Sequence, residues 1–190
     1  MLVILNTAGQ SIPFMAAMRA DTRPMHVTDS SPAPGSLLGT LAAERGAFAD
    51  AYSLPLPRPV ALAEFVEAFY TSWLFKLERA VLALAGRRST DALARAVAQG
   101  QAERLAVWTV QARTAHELLM HEDSGVTRSW FQVQPGPAGS TTLWFGSALM
   151  PRRRGPAGEP RFGWGFHALL GLHRAYSRAL LRAAARRLSA

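Results

Sequence analysis

Near the end of the chain, His173, Tyr176 and Ser177 stand at i, i+3 and i+4, a spacing that brings three hydrogen-bonding side chains onto one face of a helix. An imidazole in that position can relay a proton near neutral pH, while the phenol and hydroxyl beside it orient a ligand carbonyl or hydroxyl. The same groups also suit an ordinary internal network, because a buried polar group without a partner costs about 1–3 kcal/mol. Glu117 is the other candidate for acid–base chemistry. It lies in the apolar stretch Ala115–Met120, and if Ala115 and Leu119 turn inward it turns inward with them. A buried carboxylate needs a cationic partner, for which Arg113, on the same strand path, and Arg128, across the hairpin, are the natural candidates. In the opposite register Glu117 is simply solvated. His173, Glu117 and Tyr176 are thus the candidate catalytic groups.

Trp108, Trp130 and Trp144 fall in three alternating stretches, where they can line a ligand site with flat apolar surface or pack the core. Ser147 belongs to Phe145-Gly146-Ser147-Ala148, a run of small residues that admits a bulge or a close approach by a backbone or ligand. The Gly-x-Ser fragment there lacks the rest of a hydrolase elbow. The candidate ligand-binding set is Trp108, Arg113, Glu117, Trp130, Trp144, Ser147, His173, Tyr176 and Ser177. Lys76 borders an apolar stripe, as a Schiff-base lysine or as one whose stem lies along the core. No metal is expected: His116 and His121 are five apart, His167 and His173 six apart, so neither pair shares a face, and there is no cysteine. No phosphate-cradling glycine loop and no cofactor motif is present.

The elements that must position these groups follow from periodicity. Phe162 to Leu188 has helical spacing, with Phe166, Leu169, Leu170, Leu180 and Ala184 on the side of His173 and Arg174, Arg178, Arg182 and Arg186 turned to water. A helix is predicted over 61–85, with Leu62, Phe65, Val66, Phe69, Trp73, Leu77, Val81 and Leu84 in one stripe and Glu64, Glu67 and Glu78 opposite. A shorter helix runs from Asp91 to Gln99, capped by Ser89 or Thr90. Phe48–Pro57 reads as an edge strand closed by prolines. Strands are predicted at 104–113, 115–121, 126–133 and 140–150, joined by turns at 122–125 and 135–139. Residues 151–160 read as a loop, and residues 1–45 as a loosely packed extension before a single domain over 46–190.

With 190 residues, 49% hydrophobic and 18% charged, the chain has the composition of an ordinary globular domain. The net charge of +8 invites a nucleic-acid reading, but the arginines are spread over helix backs and loops with no basic–aromatic motif, so nucleic acid is not expected as a partner. No apolar run approaches the ~20 residues of a membrane span. The first basic residue is Arg19, which does not suit a signal peptide; together with the missing cysteines this makes the cytoplasm the expected location. Nothing in the sequence sets an oligomeric state.

The order strand, two helices, antiparallel meander and long closing helix, together with Trp108, Arg113, Glu117-Leu118-Leu119, Ser129-Trp130-Phe131, Phe145-Gly146-Ser147-Ala148 and His173-Arg174-Ala175-Tyr176-Ser177, resembles a family of uncharacterised bacterial proteins. That family is similar to the helix-grip superfamily of START lipid-transfer domains and polyketide cyclases. The resemblance implies an α+β fold in which a curved antiparallel sheet wraps a long C-terminal helix and encloses a cavity. The leading expectation is therefore a protein that binds a small hydrophobic, lipid- or polyketide-like molecule. One alternative is a cyclase, hydratase or isomerase using His173 or Glu117 as general base. A second is an interaction module whose C-terminal arginine face docks an acidic partner or anionic membrane surface.

Overall fold

Alternation of apolar and polar residues between 104 and 149 does produce an antiparallel meander, but the sheet it joins is larger than the meander alone. The structure, a computed structural model, describes residues 26–84, 86–151, 153–154, 160–161 and 165–190, with side chains described up to 151 and again from 170. It is an α+β fold. Strands β1 (Thr28–Ser30), β2 (Phe48–Leu56), β3 (Arg104–Leu105), β4 (Trp108–Arg113), β5 (Glu117–Glu122), β6 (Thr127–Pro135) and β7 (Thr141–Leu149) form one seven-stranded antiparallel sheet in the order β1-β2-β7-β6-β5-β4-β3. The helices are α1 (Leu37–Arg45), α2 (Leu62–Tyr70), α3 (Trp73–Leu84), α4 (Asp91–Ala98) and α5 (Gly165–Ser189).

Strand parity divides the sheet's side chains between two cores. On one face Tyr52, Leu54, Leu118, Met120, Phe131, Val133, Leu143 and Phe145 meet Phe65 and Phe69 of α2, Ala94 and Val97 of α4, and Leu180, Leu181 and Ala184 of α5. Rings dominate this layer: Phe69 lies 4.8 Å from Phe131 and 4.6 Å from Phe145, centroid to centroid. On the other face Ala51, Leu119, Trp130 and Ala148 pack under Leu38 of α1.

Four expectations are corrected by this architecture. Residues 28–45 are not an extension: β1 pairs with Ala51–Ser53 of β2, and α1 buries Leu38 completely. Residues 1–25 lie outside the described residues. Consequently β2 is an interior strand, and Pro55 lies past the end of its pairing with β1. The strand over 104–113 is a tight hairpin of β3 and β4, turned at Ala106 in the left-handed region (φ 54°). Residues 153–154 and 160–161 pair as a small separate hairpin, β8 and β9, within the stretch read as a loop.

A fifth correction matters most for function. The helix expected over 61–85 breaks at Thr71 and Ser72. Thr71 Oγ1 donates back to the Glu67 carbonyl at 2.7 Å, and the Ser72 hydroxyl then accepts from the Phe75 N–H at 3.3 Å, starting a new helix. Its phase is reset. Phe75 is buried in α3, whereas Trp73, Leu77, Val81 and Leu84, which continued the predicted apolar stripe, are exposed. The N-cap predicted for α4 is found at Thr90, whose Oγ1 accepts from the Leu93 N–H at 3.1 Å.

Candidate functional site

Helix α5 packs on α2 and α3 and across β2 and β7. Its first described turns carry the polar residues, and two of them reach different neighbours. His173 Nε2 lies 2.7 Å from Ser147 Oγ on β7, and Ser147 Oγ in turn donates to Asp50 Oδ1 on β2 at 2.8 Å. The other carboxylate oxygen of Asp50 accepts from the Tyr52 hydroxyl at 2.8 Å. Ser147 and Asp50 are cross-strand partners in the β2–β7 register, which is what sets them side by side under the helix.

Asp50, only 7% exposed, is the charged anchor of this group. Burial pushes its carboxyl up, but His173 (3.8 Å away), Ser147 and Tyr52 together hold it below the usual carboxylate value. Burial and the Asp50 charge push the Tyr52 phenol well above its usual range, so that it stays a donor. Proton direction follows from this chain. An ionised Asp50 takes the single Ser147 hydroxyl proton, so Ser147 Oγ can only accept from His173, and the neutral imidazole is the Nε2–H tautomer. Its Nδ1 carries the free lone pair and has no partner among the described residues. With a side chain 39% exposed, His173 is a fixed, accessible base. Ser147 is not a nucleophile of the triad kind: it stands between histidine and aspartate, where a triad has the histidine in the middle.

One turn further on, the Tyr176 hydroxyl donates to Glu78 Oε2 of α3 at 2.6 Å. Burial raises the Glu78 carboxyl above its ordinary value, against the hydrogen bond from Tyr176 and the nearby Trp108 indole. Trp108 Nε1 itself is buried and makes no hydrogen bond of normal geometry. Tyr70 donates to Met120 Sδ close by, its phenol pushed far up by burial and by the Glu78 charge. Ser177, on the next position of α5, is buried.

The chain matches no family model, no curated protein and no solved structure.

The remaining candidates lie elsewhere. Glu117 shares the parity of Leu119, so it stands on the α1 face of the sheet, opposite His173. Its partners are neither Arg113 nor Arg128. Glu117 Oε2 accepts from the Leu37 N–H at 2.8 Å and from the Trp130 indole at 2.7 Å, so the carboxylate caps the first turn of α1. Arg113 donates instead to the carbonyls of Val97 and Ala98 at the end of α4, and Arg128 to Gln111 and the Gly125 and Thr127 carbonyls. A shared Glu117–His173 acid–base site is therefore ruled out by sheet geometry.

The three tryptophans do not form one wall either. Trp130 is fully buried under α1, Trp144 bonds Gln134 at the surface of that same face, and Trp108 alone lies on the side of α5. Gly146 makes room for a close approach rather than a bulge: a Cβ there would lie 2.8 Å from the Asp50 backbone carbonyl and from Leu38, and 2.9 Å from Trp130. Lys76 reaches out to Asp91 at 2.8 Å. Of the arginine face of α5, Arg174 and Arg186 are exposed, but Arg178 is paired with Asp29 and lies 5.6 Å over the Tyr52 ring. Phe166 and Leu169 have side chains outside the described residues. An open surface cleft of about 350 Å³, lined by Arg58, Glu64, Glu67 and Arg187 among others, lies at the far end of α5 and is too charged for an apolar ligand.

Two carboxylates of the candidate site escaped the sequence reading. Asp50 has the parity of Tyr52 and Leu54, so its inward facing could have been inferred from the alternation of β2. Glu78 needed recognition of Thr71-Ser72 as a helix stop and start, after which it falls on the inner side with Phe75.

Proposed function

We propose that the protein binds a small hydrophobic molecule bearing one polar group, with that group on the His173 imidazole. The observation that carries this reading is the accessible imidazole held in one tautomer by the Ser147–Asp50–Tyr52 chain. A surface histidine has no need of three buried supporting groups, whereas a ligand-orienting one does. The seven-stranded antiparallel sheet with α5 lying across it supports the finer helix-grip reading, similar to START and polyketide-cyclase proteins. The centre of the fold is occupied by Phe65, Phe69, Phe131 and Phe145, so the ligand belongs at the His173 end of α5 and not along its whole length. Mass spectrometry of the organic extract from natively purified protein tests this. A molecule present with the natural chain and lost with His173→Ala supports the reading; identical extracts from both refute it.

A second reading, an isomerase- or hydratase-type enzyme, is favoured by the His173 Nδ1, which has no partner among the described residues, one turn from Tyr176, whose hydroxyl sits on a carboxyl raised by burial. His173 then serves as base and Tyr176 as donor, its hydroxyl turning from Glu78 to the substrate and taking a proton from the protonated Glu78 carboxyl as it gives up its own. Glu117 has no part in it. Turnover of the extracted molecule by the natural chain but not by His173→Gln separates catalysis from binding alone.

A further inference from the structure

Helix α3 carries apolar residues on two sides, separated by Lys76, Glu78 and Arg79. Its inner side buries Phe75 and half-buries Leu74 and Leu82, yet Trp73 is 65% exposed, Leu77 57%, Val81 66% and Leu84 91%. At 100° per residue these four fall within one quadrant, a stripe three turns long. Leu172, 70% exposed, stands on α5 one turn before Tyr176, the residue that reaches α3. A helix ordinarily turns its polar side to water, so an exposed apolar patch of this kind marks a docking surface.

The surrounding charge identifies the occupant. Lys76 flanks the stripe and shares Asp91 with Arg79, while Arg87 beyond its end shares Asp123 with Arg104, so each group keeps one net positive charge, and Arg88 is exposed next to Arg87. Arg88 has no partner among the described residues, and the chain as a whole carries +8. A second copy of the chain would bring like charges together around this stripe, which costs association energy. An anionic lipid surface complements them. The placement also suits it, with a tryptophan at one end of an apolar face and cations at its rim. We propose that the outer face of α3, with Leu172 of α5, lies in the interface of an anionic lipid bilayer, holding the protein on the membrane without crossing it. The element concerned is α3, which carries the exposed apolar stripe, and not the arginine face of α5. This inference stands independently of the ligand reading.

Sedimentation of the full chain with phosphatidylcholine vesicles, with and without about 30% phosphatidylglycerol, provides the test. Binding to the anionic vesicles is expected, at least tenfold stronger than to the neutral ones and weakened by salt. The double variant Leu77→Asp, Val81→Asp lowers it more than about a hundredfold, since each side chain loses the equivalent of full apolar burial. Arg88→Gln lowers it about fivefold. Both positions are exposed, so circular dichroism should show the variants folded as the natural chain is. Absence of binding, equal affinity for neutral vesicles, or binding that the double variant retains overturns the proposal. A dimer in analytical ultracentrifugation that the double variant dissociates also overturns it and assigns the face to a second copy.

Discussion

Replacing Asp50 with Asn tests the buried chain that supports His173 while changing almost no volume. Two opposing effects must be weighed. Neutralising a carboxylate that is only 7% exposed relieves its desolvation, which by itself would stabilise the fold. Against this, the hydrogen bonds from Ser147 and Tyr52, both 2.8 Å, become neutral, and a bond to a charged group contributes about 1 kcal/mol more than a neutral one. The direction of the Asp50 shift decides between them. Its carboxyl is held below 3.8 despite burial, so the partners outweigh the desolvation and Asp50→Asn destabilises. The expected loss is about 2 kcal/mol near neutral pH, or roughly 4–8 °C in Tm for a chain of this size. The pH dependence is a sharper criterion. A carboxyl depressed in the folded state contributes stability that is present above its unfolded value of about 3.9 and is lost as pH falls through its lower folded value. Urea denaturation should therefore show the natural chain ahead of the variant from about pH 7 to pH 5, with the gap closing below about pH 4. A gap that stays constant into acid, or a variant as stable as the natural chain, would refute the argument that Asp50 is the charged anchor of this site.

Three further outcomes follow from the same geometry. Glu117→Ala leaves the Leu37 N–H and the buried Trp130 indole without acceptors; chemical denaturation should show a loss of about 2–5 kcal/mol, while any ligand bound at His173, on the opposite face, is retained. Gly146→Ala pushes a methyl to within 3 Å of Leu38, Trp130 and the Asp50 carbonyl, costing about 1–3 kcal/mol by overpacking, measured as a lower urea midpoint with unchanged slope. Glu78→Gln keeps an acceptor for Tyr176 and removes the charge. Because the folded Glu78 carboxyl lies above 4.5, the natural chain is expected to lose stability relative to this variant as pH rises from about 4 to 7, and parallel stability curves over that range would contradict the burial of Glu78.

Short-range features were legible in the chain itself. Turn residues at 122–125 and 135–139 mark the hairpins β5–β6 and β6–β7, Thr90 marks the start of α4, and the spacing from Phe162 to Leu188 marks α5, observed as Gly165–Ser189. Each depends on bonds within a few residues, so sequence is sufficient. Thr71-Ser72 was equally local, but an unbroken apolar stripe from Leu62 to Leu84 concealed it, and Glu78 was lost with it.

What the sequence determined by itself is a mixed fold of an antiparallel meander closed by a long helix, with His173, Tyr176 and Ser177 on that helix's approach to the sheet. Only the tertiary structure decided which face of the sheet each strand residue meets. Periodicity of two gives parity but not direction, and direction is fixed by what packs on each side. Docking of α1 on the second face sends Glu117 and Trp130 to it, and pairing of β2 with β7 brings Asp50 beside Ser147 beneath His173. Of the two apolar sides of α3, packing chose the one with Phe75 for the core and left Trp73, Leu77, Val81 and Leu84 outside, a choice that no local preference within the helix makes.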